Sequence, residues 1–197
     1  MLFRGHSMDQ KSEQLQMIRC SDPLPQIKSH SPRYLIRQGS DQDRRSFNQS
    51  FQTAFDHPSP FDKLMNNKLP SGFWVAEYKP TGSVVASATA GIFPMLEHSV
   101  GHSLQWVFCH KSHLGTGVGQ ATIAAATQVL IHSDANYSYL TTDDFRLPAI
   151  DIYLKLRWKP LLIDAMHVQR WSDVFTSLDR RFVQNEWPVK SPTKSSD

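Results

Sequence analysis

His113-Leu114-Gly115-Thr116-Gly117-Val118-Gly119 lies between a hydrophobic stretch ending near Cys109 and an alanine-rich one. Glycine costs backbone entropy, so three at alternate positions point to a backbone that turns tightly or is closely approached. A strand that runs into such a loop, which then opens a helix, presents free N–H groups at the positive end of the helix dipole. That arrangement binds phosphate without cationic side chains. The P-loop pattern needs Gly-Lys-Ser/Thr, whereas Gln120 and Ala121 follow Gly119. The dinucleotide pattern needs GxGxxG and a later acidic residue; this is GxGxG without that acid. On these residues alone, a pyrophosphate held by main-chain N–H groups and a glycine-rich turn without function are both open.

Other side chains with reactive chemistry are less suggestive. Cys109 falls in a strand without an identifiable base partner and reads as a small buried hydrophobe rather than a nucleophile. Strand alternation separates His110 from His113, and no carboxylate completes a set with them and His102, so no metal site is expected. Cys20 and Cys109 form no CxxC pair, which excludes a zinc ribbon or disulfide framework and fits a reducing compartment.

The elements that must position the loop follow from periodicity. Residues 33–39 read as a short strand. Asp41 then caps a helix with Phe47, Phe51 and Phe55 along one side, broken around Pro58 and Pro60. Residues 72–78 and 83–92 read as a hairpin about Lys79-Pro80-Thr81-Gly82, and 103–110 as a further strand. Residues 118–132 are apolar almost all round, a buried helix. A strand over 137–143 precedes a helix carrying Ala149, Ile152, Tyr153 and Leu156. A last helix carries Val168, Trp171, Val174, Phe175, Leu178 and Phe182. This order predicts an α/β (α+β) layer: a mixed, mostly antiparallel central sheet, parallel at its centre, with helices on both faces.

The 197 residues suffice for one domain. We expect a flexible lead over 1–31, a single domain over 32–184 and a disordered tail over 185–197. The ends are polar and carry much of the deficit behind the 40% hydrophobic content. Net charge +3, pI near 8.9 and the absence of a dense basic block argue against a nucleic-acid partner. The opening residues lack the apolar stretch of a signal peptide, and no run approaches a membrane span, so the expected location is cytoplasmic and no membrane partner is expected.

Two stretches together resemble the GNAT acetyltransferase superfamily, over roughly residues 33–183. "LQWVFCHKSHLGTGVGQ" is similar to that family's acetyl-CoA motif, a strand followed by Arg/Gln-x-x-Gly-x-Gly/Ala, with Gly117 and Gly119 in the two small positions and Leu114 where arginine or glutamine is usual. "RLPAIDIYLKLRWKP" resembles the second motif. Ala149, Ile152, Tyr153, Lys155 and Trp158 fit, Arg157 stands at a glycine position, and Arg146 replaces a common asparagine. The resemblance implies the GNAT fold and transfer of an acetyl group from acetyl-CoA to an amine by direct attack in a ternary complex, with no metal and as a monomer or homodimer. It implies that the backbone of Val107, Phe108 and Cys109 holds the pantetheine arm. The segment Leu114, Gly115, Thr116, Gly117, Val118 and Gly119 would hold the pyrophosphate. Tyr153 would be the acid that protonates the leaving thiolate; without the motif it would read as a core tyrosine. For the base, Glu97 is chosen among Glu97, His98, His102, Asp143 and a water chain, because the loop before this strand often lines the acceptor side in the family. Loops 56–71 and 93–102 would set specificity. A non-catalytic acyl-CoA-binding or regulatory module on the same fold is the alternative.

Overall fold

Alternating apolar positions and glycine or proline punctuation produce a sheet wrapped by helices. The computed structural model describes residues 14–27, 30–55 and 58–189. In chain order the elements are β1 (Leu15–Cys20), β2 (Tyr34–Gln38), α1 (Arg44–Ala54), α2 (Phe61–Asn67), β3 (Lys68–Tyr78), β4 (Ser83–Ile92) and β5 (His102–Cys109). They continue with α3 (Val118–Ile131), β6 (Tyr137–Thr142), α4 (Leu147–Lys155), β7 (Lys159–Leu161) and α5 (Ala165–Ser177). Among the described residues the strands form one seven-stranded sheet in the order β2-β3-β4-β5-β6-β1-β7, antiparallel throughout except for β5 and β6. The expected mixed sheet with a central parallel pair is thus present.

Helices cover both faces. On one, Phe47 and Phe51 of α1 and Phe61 and Leu64 of α2 pack on Phe73, Val75, Val84 and Phe108. Hydrogen bonds tie α1 to β4: Ser50 Oγ donates to the Val84 carbonyl (2.5 Å), and the Val84 N–H donates to Ser46 Oγ (2.8 Å). On the other face α3, α4 and α5 bury Ile123, Leu130, Ile150, Tyr153, Trp171 and Phe175 against Leu15, Met17, Leu104 and Leu140.

The expected lead over 1–31 and the domain start at 32 need correction. Residues 15–20 are a strand seated between β6 and β7, with Leu15 opposite Thr142 and Met17 opposite Leu140 and Pro160. The strand is hard to see because both its faces are covered and two of its buried residues are polar. Gln16 bonds His98, and Arg19 donates to the carbonyls of Leu156, Cys20 and Asp22. A fully covered strand loses the alternation that marks a half-buried one. Residues 1–13 of the expected lead lie outside the described residues. The tail likewise begins later than residue 185: Trp187 packs on Phe175, and the Leu162 N–H donates to the Pro188 carbonyl (2.9 Å). Residues 190–197 lie outside the described residues. Helix α2 falls within the expected loop 56–71, and the last helix ends at Ser177, with Phe182 packing on Phe175 from beyond it.

Over β1 and β6 the face opposite α3 is covered by the β4–β5 connection instead of a helix. His98 from this loop stacks on Tyr139 (4.2 Å between centroids, 11° between planes). Its Nε2 meets Gln16 Oε1 at 2.8 Å and its Nδ1 meets Tyr137 Oη at 3.2 Å. The Tyr139 hydroxyl donates to the Phe93 carbonyl. Burial holds the His98 imidazole down at about 4 from an ordinary 6.5, with the Glu97 carboxylate pulling the other way. The unfolded chain therefore takes up a proton below pH 6.5 that the folded chain refuses until about pH 4. This contribution is complete above pH 6.5 and shrinks as pH falls, by roughly 3 kcal/mol in all at about 1.4 kcal/mol per decade. Thermal melts from pH 7 to 4 should show the stability gap between the parent and His98→Gln narrowing on acidification. A constant gap would mean that this histidine titrates alike in both states.

Candidate functional site

The site begins with an irregularity in β5. Ser87 pairs with Phe108 and Thr89 with Gln105, so Trp106 and Val107 face the single residue Ala88. Trp106 takes up the extra length with φ +54°, a left-handed conformation unusual for a bulky residue. On its other edge β5 meets β6 in register only at Ser103 and Tyr139. Beyond that pair the two parallel strands share no ladder among the described residues. The edge of β5 along Val107, Phe108 and Cys109 is thus open toward β6, a slot for an extended ligand with hydrogen-bonding amides.

The chain leaving β5 makes one 3-10 turn over Lys111–His113, capped by His110, whose Nδ1 accepts from the Ser112 N–H (3.3 Å). Thr116 Oγ1 donates to the His113 carbonyl (2.6 Å) and fixes the following bend. Gly115 and Gly117 adopt φ +75° and +83°, and Gly117 is the N-cap of α3. A Cβ at Gly115 would meet nothing within 4 Å. Its glycine therefore answers to backbone conformation rather than to crowding. Having no side chain, Gly117 caps nothing. Among the described residues the N–H groups of Gly115 through Gln120 meet no acceptor, and the first bonded amide is that of Ala121, to the Gly117 carbonyl (3.0 Å). Consecutive amides without an acceptor at the N-terminus of a 14-residue helix are suited to receive an anion. Leu114 is 60% exposed and leaves the receptor to the backbone.

Tyr153, on α4, belongs to the buried cluster against which Val107 of β5 packs. It is buried among Leu104, Ile150 and Leu156, yet its hydroxyl has no hydrogen-bond partner among the described residues. Burial pushes its phenol above the usual value, with the Arg146 charge acting against this, so it is protonated at neutral pH. At the C-terminus of α4, Arg157 takes φ +66°, and the Trp158 N–H donates to the Tyr153 carbonyl while the Arg157 N–H donates to that of Leu154. This is the left-handed helix end that glycine usually occupies, adopted here by arginine.

The remaining sequence-predicted residues are dispersed. Cys109 is half-buried, and desolvation raises its thiol to about 11, leaving it protonated at neutral pH. Glu97 is on the turn closed by Met95 and His98, partly exposed and without a hydrogen bond or ion pair among the described residues. His102 is at the start of β5, the end away from the glycine loop, where it bonds Ser133 Oγ (2.8 Å). Asp143 follows β6 at the slot and accepts from Arg146 Nε (2.8 Å) and Gln14 Nε2 (2.9 Å). His113 bonds Tyr34 Oη (3.0 Å), and no group of three metal-ligating side chains occurs among the described residues.

The sequence model of the acetyltransferase (GNAT) family matches residues 40–157, a stretch that contains the bulged strand, the amide receptor and Tyr153. The chain belongs to the GNAT acetyltransferase family. Solved structures share the fold. A GCN5-related N-acetyltransferase from Sphaerobacter thermophilus superposes with TM-score 0.57 at 14% identity, covering 75% of this chain and 49% of that one. One from Kribbella flavida gives 0.51 at 19%, covering 76% and 55%, and a GNAT-family acetyltransferase from Colwellia psychrerythraea gives 0.58 at 11%, covering 76% and 53%. This chain therefore spans about half the length of these relatives. No curated protein matches it.

Within the GNAT frame, the slot has an aromatic wall on the α1 face, of which the sequence showed only the phenylalanine stripe. Phe55, just past α1, lies tilted by 32° against Phe51 (4.6 Å), Phe51 meets Trp106 (6.4 Å), and Trp106 meets Phe93 (6.3 Å). The Arg146 guanidinium lies 4.8 Å over the Phe55 ring, and Lys63 Nζ lies 6.0 Å over Trp106. The phenylalanine stripe signalled part of this wall; nothing local signalled its meeting with Trp106 and Arg146. No helix among the described residues is long and apolar enough to cross a membrane.

Proposed function

We propose that this chain transfers an acetyl group from acetyl-CoA to a primary amine by direct attack in a ternary complex. The observation that carries the reading is the occurrence together of three features: the six amides of Gly115–Gln120 without an acceptor among the described residues, the open edge of β5, and the Tyr153 hydroxyl without a partner among the described residues. The amides suit a pyrophosphate, and the β5 edge at Val107, Phe108 and Cys109 suits the peptide-like pantetheine arm. A main-chain N–H near Phe108 or Cys109 polarises the thioester carbonyl. The amine nitrogen attacks that carbon, the C–S bond breaks, and Tyr153 gives its proton to the departing thiolate. The proton lost by the amine goes to Glu97, directly or through water. The reading places the enzyme in the cytoplasm, a reducing setting that suits its free Cys20 and Cys109.

Thermal melts with CoA, acetyl-CoA, ATP and NAD test the binding half. CoA and acetyl-CoA should stabilise the protein by about 2.7 kcal/mol at a hundred times their dissociation constant, and ATP and NAD should not. Gly117→Val should abolish the CoA effect, since its branched side chain crowds the receptor and opposes φ +83°. Equal stabilisation of parent and variant would refute the receptor. Release of free CoA thiol across a panel of amines tests the chemical half; binding without turnover on any amine would leave a non-catalytic CoA-binding module.

A further inference from the structure

We infer that the acceptor amine bears a carboxylate, held by the Arg146 guanidinium on the aromatic wall of the slot. The inference rests on the acetyl-transfer reading and specifies its second substrate.

The two faces of the sheet divide the labour. The amide receptor and α3 lie on one face, together with the core that holds Tyr153. Phe51, Phe55 and Trp106 lie on the other, the α1 face. A thioester threaded along the open edge of β5, its carbonyl oxygen on an edge amide, leaves the α1 face of its acetyl carbon for the approaching amine, beside the aromatic wall. What that wall offers is what the acceptor must match.

It offers apolar surface and a poised cation. Arg146 stands at the N-terminus of α4, and only its Nε is engaged, on Asp143 Oδ2 (2.8 Å). The face of the guanidinium rests on Phe55 at 4.8 Å and is 5.3 Å from the Phe145 ring. The Nε bond and the ring contact fix the plane of the guanidinium, and its Nη1 and Nη2 have no acceptor among the described residues. Two parallel N–H donors from a planar cation fit the two oxygens of a carboxylate. Asp143 takes only the Nε edge, and Asp144 is paired with Arg170, so neither occupies the Nη1/Nη2 edge. Lys63 over Trp106 adds a second positive charge at the same wall. Partial burial strengthens such a pair relative to an exposed one, because Arg146 is 34% exposed and stacked. An acceptor with an apolar body, an amine and a carboxylate meets all three features, whereas a simple alkylamine or polyamine leaves the guanidinium edge unused and adds positive charge beside it.

The test pairs each of a panel of apolar amino acids, phenylalanine and leucine among them, with its carboxamide. Two quantities are read on the parent, Arg146→Gln and Arg146→Lys: thiol release from acetyl-CoA, and binding of each amine by titration calorimetry in the presence of CoA. Circular dichroism melts confirm that both variants are folded. In the parent the acid should be favoured over its amide by about 10–100-fold in KM or Kd, the usual value of a hydrogen-bonded charge pair. Arg146→Gln should bring that ratio close to one, and Arg146→Lys should retain part of it. A ratio near one for every pair in the parent, or a preference that survives in Arg146→Gln, overturns the inference. If thiol is released from amides and acids alike, acetyl transfer stands and the carboxylate site falls. If acid-selective binding depends on Arg146 but no amine yields thiol, the site stands and the transfer reading falls.

Discussion

Replacing Tyr153 by phenylalanine should lower turnover by about 10²–10⁴-fold, the usual contribution of a positioned proton donor, or about 3–5 kcal/mol of barrier. The variant loses one oxygen and keeps the ring that packs with Leu104, Ile150 and Leu156. Stability and the KM for acetyl-CoA should therefore barely change, because the hydroxyl makes no bond within the described protein that its removal would break. A fall in kcat at constant KM is the signature of an interaction made in the transition state. Steady-state kinetics on the two proteins, with any accepted amine, give the answer. Parental kcat in Tyr153→Phe would return the tyrosine to the core and leave water as the proton source.

Deleting residues 1–20 should abolish folding. Leu15, Met17 and Ile18 are buried at 0%, 0% and 3% exposure, and burying three such side chains contributes about 5–9 kcal/mol, a figure comparable to the whole stability of a typical domain. Their loss also strips the ladder partners from β6 on one side and β7 on the other. Arg19 goes too, and with it the bond that closes the end of α4 through the Leu156 carbonyl (3.0 Å). The measurement is circular dichroism and gel filtration of the truncated chain. A monomer with a cooperative melt near the parental Tm would show that β1 is an accessory strand. Deletion of residues 1–13 alone removes none of these contacts and is the matching control.

Legibility in the sequence followed the physics of each element. The stretch from β4 to α4 was readable because strand alternation, glycine punctuation and helical spacing all agree there, and the two motifs lie within it. β1 was not, because Gln16 and Arg19 are buried for their hydrogen bonds and interrupt the apolar run. β7 has three residues, Pro160 among them, which is too short for any period to register. α2 was hidden by the prolines before it: Pro60 is its N-cap, and the seven residues that follow form the helix. At the site, the glycine loop declared its own backbone, since Gly115 and Gly117 hold positive φ. The bulge at Trp106 did not, because a tryptophan at φ +54° carries no mark in the sequence. The seating of Arg146 on Phe55 joins residues from opposite ends of the matched region, a relation that only the closed sheet creates.

The place of β1 in the sheet also sets a timetable for the growing chain. Leu15 leaves the ribosome long before Thr142, with which it pairs, and Gln16 long before its partner Leu161. At about 5–20 residues per second, the interval between making Leu15 and making Thr142 is roughly 6–25 s. Throughout it the strand bearing Leu15, Met17 and Ile18 waits with no partner while β2 through β5 and their helices can already assemble. The slot between β5 and β6 then comes into being in the same closing event that brings β1 home, so the nascent protein cannot form the complete slot until nearly all of its sheet has been made.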